Sequence, residues 1–334
     1  MKKLVYIFLA FFLIFTSGFI GWKAGKATQS PSAPAPKELP LDVYSIENLS
    51  KVKATPSMIN LQKVLKDDKD FTSYLFSLTF PPNPAKSEKK KVTGQINIPK
   101  GEGPYPVVVM LRGYVDQKIY KTGDGTRRAG EYFAKNGFIS LAPDFLGYGQ
   151  SDEEAGNIFE SRFQTYTTAL ALLNSLGSLN LWNKSDIFLW GHSNGGQIAI
   201  SILEATGADY PTTLWAPVSK PFPYSVLYYT DESDDKGKLI RSELAKFEDL
   251  YNPDLYSIHK YFDRIKAPIQ LHQGAADDAV PRQWSDYLAD TLLGLNVNLD
   301  YFTYPGADHN LNPSWDLVVQ RDLAFFSKHQ GRQY

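Results

Sequence analysis

Five short apolar runs recur along the chain, and the intervals between them carry helical patterns. The runs are "YPVVVML", "FISLAP", "DIFLW", "TTLWAPV" and "PIQLH". They are rich in Val, Ile, Leu and Phe and lack polar alternation, as strands covered on both faces should. Helical periodicity fills 126–136, 159–176, 195–205, 281–293 and 314–328. Gly137, Gly177, Gly207 and Gly294 follow the first four, and each is expected to close its helix in the left-handed conformation. Strand–helix alternation of this kind predicts an α/β domain: a mostly parallel central sheet with helices on both faces. "YLFSLTF" and "KVTGQINIP" read as earlier strands and "VNLDYFTYPG" as a later one. Residues 42–72 are mixed and poorly periodic, and read as a short leading region with one helix. Residues 219–264 break the rhythm. They mix aromatics with charges and hold no buried run, so they read as a small helical cap insertion with a helix over 239–249.

Composition narrows the class. The chain has 334 residues, 43% of them hydrophobic and 14% aromatic, enough to bury a large core. A net charge of −1 argues against a nucleic-acid surface. The absence of cysteine excludes disulfides, thiol nucleophiles and cysteine-ligated metals. Five histidines without H-E-x-x-H spacing give no zinc signature. No metal or organic cofactor is implied.

Ahead of the domain, "MKK" precedes nineteen uncharged, mostly apolar residues over 4–22. A helix of that length spans the ~30 Å hydrocarbon layer. Residues 1–27 are therefore expected to form an uncleaved membrane anchor, with a cleaved signal peptide as the alternative. The single-pass topology expected places the catalytic domain outside the cell membrane; cleavage would make it secreted. Residues 28–40, including "TQSPSAPAPKELP", read as an extended Pro/Ser/Ala-rich linker. Residues 41–334 form the catalytic domain.

The chemistry starts from "LWGHSNGGQ". Gly191, Ser193 and Gly195 form Gly-x-Ser-x-Gly between an apolar strand and a helix. Such an elbow strains the serine backbone and lifts the hydroxyl out at the carboxyl edge of the sheet. Side chains at 191 and 195 would collide with the neighbouring strand and helix. Serine needs a base. His192 is fixed in the elbow and points elsewhere; His259 lies in the cap, His272 inside a strand, and His329 in a frayed terminus. His309, in "YPGADHN", begins a loop at the carboxyl edge and is the histidine placed to reach Ser193. A carboxylate must hold its tautomer. Asp277 in "HQGAADDAVP" is the expected acid and Asp278 the reserve, itself readable as a helix cap; Asp308 stands too near His309 in sequence. The expected oxyanion donors are the backbone N–H groups of Asn194 and Tyr114. The phenol of Tyr114 could instead line an acyl pocket. Phe222, Tyr224, Tyr228 and Tyr229 could do so too, or hold the cap on the sheet, while "DESDDKGK" reads as a solvated loop.

The ordered set "VVVMLRGY", "APDFLGYGQSD", "GHSNGG", "HQGAADDAVP" and "YPGADHN" resembles the α/β-hydrolase fold of prolyl oligopeptidase type, with dienelactone-hydrolase-like and acetyl-esterase relatives. The resemblance covers about residues 70–330. It implies a Ser193–Asp277–His309 triad, a covalent acyl-enzyme and a small peptide or ester substrate. Peptides are favoured and carboxylester or acetyl-ester hydrolysis is the alternative. A non-catalytic tethered binding module is a distant third. Asp144 and the glycines of "APDFLGYGQSD" are expected to shape a turn near the active-site rim. Two departures stand out. Arg112 occupies the position where the family usually has histidine. The stretch between linker and first predicted strand is also too short for a β-propeller.

Overall fold

A computed structural model describes residues 39–53 and 55–331. The expected anchor, residues 1–27, and nearly all of the 28–40 linker lie outside the described residues. Among the described residues no helix is long and apolar enough to cross a membrane.

Nine strands among the described residues form one sheet in the order β1-β2-β3-β5-β4-β6-β7-β8-β9. They are β1 (Asn60–Asp67), β2 (Phe71–Phe80), β3 (Lys90–Pro99), β4 (Tyr105–Leu111), β5 (Ile139–Pro143), β6 (Trp182–His192), β7 (Thr212–Trp215), β8 (Ile269–Gly274) and β9 (Leu299–Tyr304). The first three and the β3–β5 pair are antiparallel; β5, β4 and β6 to β9 are mutually parallel. The helices are α1 (Ile46–Leu49), α2 (Arg127–Lys135), α3 (Ile158–Ser175), α4 (Asn194–Thr206), α5 (Tyr224–Leu227), α6 (Lys238–Glu248), α7 (Arg282–Gly294) and α8 (Trp315–Lys328).

The unbroken apolar strands reflect two buried faces. In β4, Val107, Val109 and Leu111 join one core, which takes in α3 and α4, whereas Val108 and Met110 join the other with α2 and α8. Helix α3 starts at an Asn157 cap whose side chain accepts from the N–H groups of Phe159 and Glu160. Helix α4 ends at Gly207 with φ 61°.

Three expectations need correction. Gly137 and Gly207 take the left-handed conformation, but Gly177 lies in a 3-10 turn and Gly294 inside the last turn of α7. Residues 42–72 hold more than one helix: alongside the short α1 they contain β1, an edge strand exposed along its whole length. A strand with no buried face leaves no period-two pattern to read. His329 is not frayed; it is 2% exposed and packs on Phe325.

Between β7 and β8, residues 219–264 are helical, with α6 covering most of the expected span. Phe222 is buried among Phe159, Phe163 and Phe247, so it holds this segment to α3. Tyr224, Tyr228 and Tyr229 gather around Trp284 of α7. In the acidic loop, Asp235 caps α6 through the N–H of Leu239.

Under the sheet's carboxyl edge, α8 is fixed by a buried polar contact. Asp322 Oδ2 accepts from Trp215 Nε1 at 2.8 Å, and Oδ1 lies 3.0 Å from His272 Nε2. Both acid and imidazole are fully buried. Removing the acid leaves the buried Trp215 N–H without its acceptor, while His272 keeps Gln270 Oε1 and the Tyr304 hydroxyl. Asp322→Ala is therefore expected to lower the unfolding free energy by about 1–3 kcal/mol, measured by urea denaturation at constant m-value.

Candidate active site

Strand β6 ends at His192, and Ser193 turns the chain into α4 with φ 56° and ψ −121°. That conformation is costly for a residue with a side chain, so the surroundings must impose it. They do so through backbone. Ser193 N–H donates to the Trp215 carbonyl at 2.9 Å, and the Ser193 carbonyl accepts from Val218 N–H at 2.9 Å. A Cβ at Gly191 would sit 2.7 Å from the Gly195 carbonyl oxygen. One at Gly195 would overlap the Leu111 carbonyl. Both glycines are sterically required, as the spacing predicted.

Two parallel strands bring the partners in. Gly274 at the end of β8 pairs with Tyr304 at the end of β9. Asp277 and His309 follow these strands, and His309 Nδ1 meets Asp277 Oδ2 at 2.9 Å. The Asp277 side chain is fully buried. Its Oδ1 accepts from the N–H groups of Ala279 and Val280, and its Oδ2 also accepts from Gln273 Nε2. Burial alone would raise its pKa. The bonds from His309 and Val280 outweigh that and hold the carboxyl below the usual aspartate range. Asp278 is exposed. Asp308 is occupied in its own loop, accepting from Asn312 N–H. The expected dyad is thus Asp277 with His309 in geometry.

His309 Nδ1 is engaged by the carboxylate, which leaves Nε2 for proton exchange. The Ser193 hydroxyl makes no hydrogen bond among the described residues; such contacts often tighten only when substrate binds. The loop of His309 reaches the elbow through His192. His192 Nε2 lies 3.0 Å from the His309 carbonyl oxygen, and the two rings stand 4.7 Å apart. His192 turns its ring to the His309 loop, and the sequence reading missed that it braces the base.

Gly113, after β4, faces the serine: a Cβ there would lie 2.9 Å from Ser193 Cβ. The N–H groups of Tyr114 and Asn194 have no acceptor among the described residues. For Asn194 this follows from its place in the first turn of α4. The Tyr114 phenol is 78% exposed, on the rim rather than in the interior. Beside these groups lies a cavity of about 180 Å³, lined by Tyr114, Phe145, Tyr148, Ile158, Asn194 and Ile198 among others. A larger hollow of about 500 Å³ lies against His192, Trp190, Trp215 and Trp315; Ser193 lines neither space. A strained hydroxyl, an imidazole fixed by a carboxylate and two unengaged donors suit acyl transfer. Among the described residues no cluster of His, Asp or Glu could hold a metal.

Burial first, then the neighbouring His309, pushes the His192 pKa down from 6.5 to about 4. The ring is neutral, so Nε2–H donates to the His309 carbonyl. In the unfolded chain His192 takes a proton as pH falls through 6.5, whereas the folded chain resists until about 4. Stability is therefore expected to fall across that window, by roughly 3 kcal/mol from this group. His192→Gln, which keeps a donor but cannot titrate, is expected to flatten that part of the denaturation–pH profile.

Comparison with known proteins agrees with this geometry. The model of the prolyl oligopeptidase family matches residues 126–333. The chain is 24% identical over 269 residues to acetyl esterase Axe7A of Xylanibacter ruminicola, covering 72% of this chain and 57% of that protein. It is 21% identical over 246 residues to a putative carboxymethylenebutenolidase of Synechocystis sp., covering 67% and 82% respectively. The solved acetyl xylan esterase from Paenibacillus sp. R4 shares the fold, with a TM-score of 0.62 at 18% identity over 84% of this chain and 91% of that one. A binding module without catalysis is set aside. The family match runs from the start of α2 past the end of α8, through both the elbow and the Asp277–His309 loops: the chain belongs to the prolyl oligopeptidase family, and it is a serine hydrolase of the α/β-hydrolase fold.

Proposed function

We propose that Ser193 is the nucleophile, His309 the base, Asp277 its orienting acid, and that the bond cleaved is an ester of a small acyl group. Ser193 Oγ adds to the acyl carbonyl while His309 Nε2 takes its proton. The N–H groups of Asn194 and Tyr114 receive the developing oxyanion. His309 then delivers the proton to the departing alcohol, and water releases the acyl group by the reverse steps. Asp277, with its lowered pKa, stays ionised and stabilises the imidazolium. The observation that carries the reading is the 2.9 Å His309–Asp277 contact beside an elbow serine at φ 56°.

The ester half rests on the pocket. At about 180 Å³ it is small. Its charged side chains bond to neutral protein groups: Arg112 to two carbonyls, Arg162 to Gln197, and Glu154 to Ser161 and Gln117. Peptide hydrolysis, favoured from the sequence resemblance, is the second reading, supported by the family to which the chain belongs.

A fluorophosphonate probe is expected to label the wild type and not Ser193→Ala, whose kcat should fall by a factor on the order of 10⁶. Short p-nitrophenyl esters are expected to give a higher kcat/KM than aminoacyl or prolyl p-nitroanilides; faster anilide cleavage would transfer the assignment to peptides. Asp277→Asn is expected to cost kcat on the order of 10⁴, and Asp278→Asn far less. The opposite ranking in steady-state assays would move the acid to Asp278.

A further inference from the structure

Arg112 is a buried cation with no carboxylate on its guanidinium, and its exposure is 4%. Its Nη1 donates to the Gly113 carbonyl at 2.9 Å and its Nη2 to the Asp144 carbonyl at 2.8 Å. The plane lies over the rings of Tyr148 at 4.1 Å, Tyr120 at 4.5 Å and Phe145 at 5.4 Å. Three aromatic faces replace water around the charge. The cage is itself fixed. Tyr120 OH donates to Asp144 Oδ1 at 2.7 Å, while Thr93 and Thr122 donate to Oδ2. Gly149, at φ 62°, passes so close to that carboxylate that a Cβ would overlap it. The segment "PDFLGYG" thus supplies a carbonyl, two rings and the anchoring acid around one guanidinium.

The Gly113 carbonyl belongs to the same peptide unit as the Tyr114 N–H. That bond is trans, so carbonyl and N–H point in opposite directions. A guanidinium holding the oxygen on one side fixes the N–H on the other. A cation on the carbonyl also polarises the amide and strengthens its N–H as a donor.

We propose that Arg112 is a positioning residue for the oxyanion hole, one that aims and polarises the Tyr114 N–H through the Gly113 carbonyl. This rests on the acyl-transfer reading given above. Arg112 touches no reacting atom. It acts only when negative charge develops on the acyl oxygen, so its loss should appear in the transition state and not in ground-state binding. Lysine retains the charge but not the planar fork needed to bridge two carbonyls.

The test uses the full chain and two variants, Arg112→Met and Arg112→Lys, with a short p-nitrophenyl ester and a short-acyl trifluoromethyl ketone. The ketone takes Ser193 Oγ at its carbonyl carbon and becomes a hemiketal oxyanion, the serine proton passing to His309. Losing an entire oxyanion donor costs about 10²–10³ in kcat, so a misaimed one is expected to cost about tenfold or more in Arg112→Met. KM should stay within about twofold, and ketone affinity should fall in parallel with kcat. The ¹⁹F resonance of the bound hemiketal should report a weaker stabilisation of its ionised form. Arg112→Lys should fall between, and it carries the test alone if the methionine variant does not fold. The proposal is overturned if a folded variant keeps kcat and ketone affinity within about twofold. It is equally overturned if KM rises while the ratio of ketone to substrate affinity is unchanged. If Ser193→Ala remained active, the parent reading would fall instead, whatever Arg112 did.

Discussion

The left-handed backbone of Ser193 is the constraint on which the rest depends. A residue with a side chain held there costs about 1–3 kcal/mol, and the fold must over-determine it. Two glycines allow β4, β6 and α4 to approach closely enough, and two hydrogen bonds tie the serine backbone to β7 and to the chain just beyond it. Strand β7 offers no proposed catalytic side chain; it works as a splint. Its Trp215 carbonyl holds the serine N–H, while its Trp215 indole holds Asp322 of α8. One residue therefore couples the elbow to the helix that follows the His309 loop.

Polar groups in the interior divide into two sets. Asp277 is buried yet remains acidic because four donors converge on its two oxygens. Asp144 is buried too, and there the desolvation wins: its pKa rises despite three hydroxyl donors and a nearby guanidinium. The distinction suits their places. The first carboxylate faces a ring that must become cationic; the second holds a cage in shape.

Much of this was readable from residues alone. The parallel strands were legible because both faces are covered, so each appears as an unbroken apolar run. The elbow and the meeting of Asp277 with His309 were legible because steric demand fixes glycine on both sides of the serine and strand ends fix the loops. Strand β1 was not, since it buries neither face. Gly177 and Gly294 misled because glycine permits the left-handed turn without compelling it. His192 and Gln273 were missed for another reason. Which group a side chain reaches across a sheet depends on register, and one sequence does not contain it. A hint was present in "PIQLHQG": three polar residues in a buried strand must each find a partner. Arg112 was visible only as a departure from expectation; one of its two carbonyl partners, that of Asp144, lies 32 residues away in another turn.

The helical insertion leaves the sheet after β7 and rejoins it at β8, between the strand that carries the serine and those that carry the acid and base. Its anchorage is mainly aromatic, on Phe159, Phe163 and Trp284, and contact of that sort tolerates exchange of one large ring for another. Lineages descending from a common ancestor can thus lengthen, trim or resurface this segment many times while the sheet it leaves and rejoins stays as it is. Change in outline would then accumulate at a single seam, and inheritance of the elbow would be undisturbed.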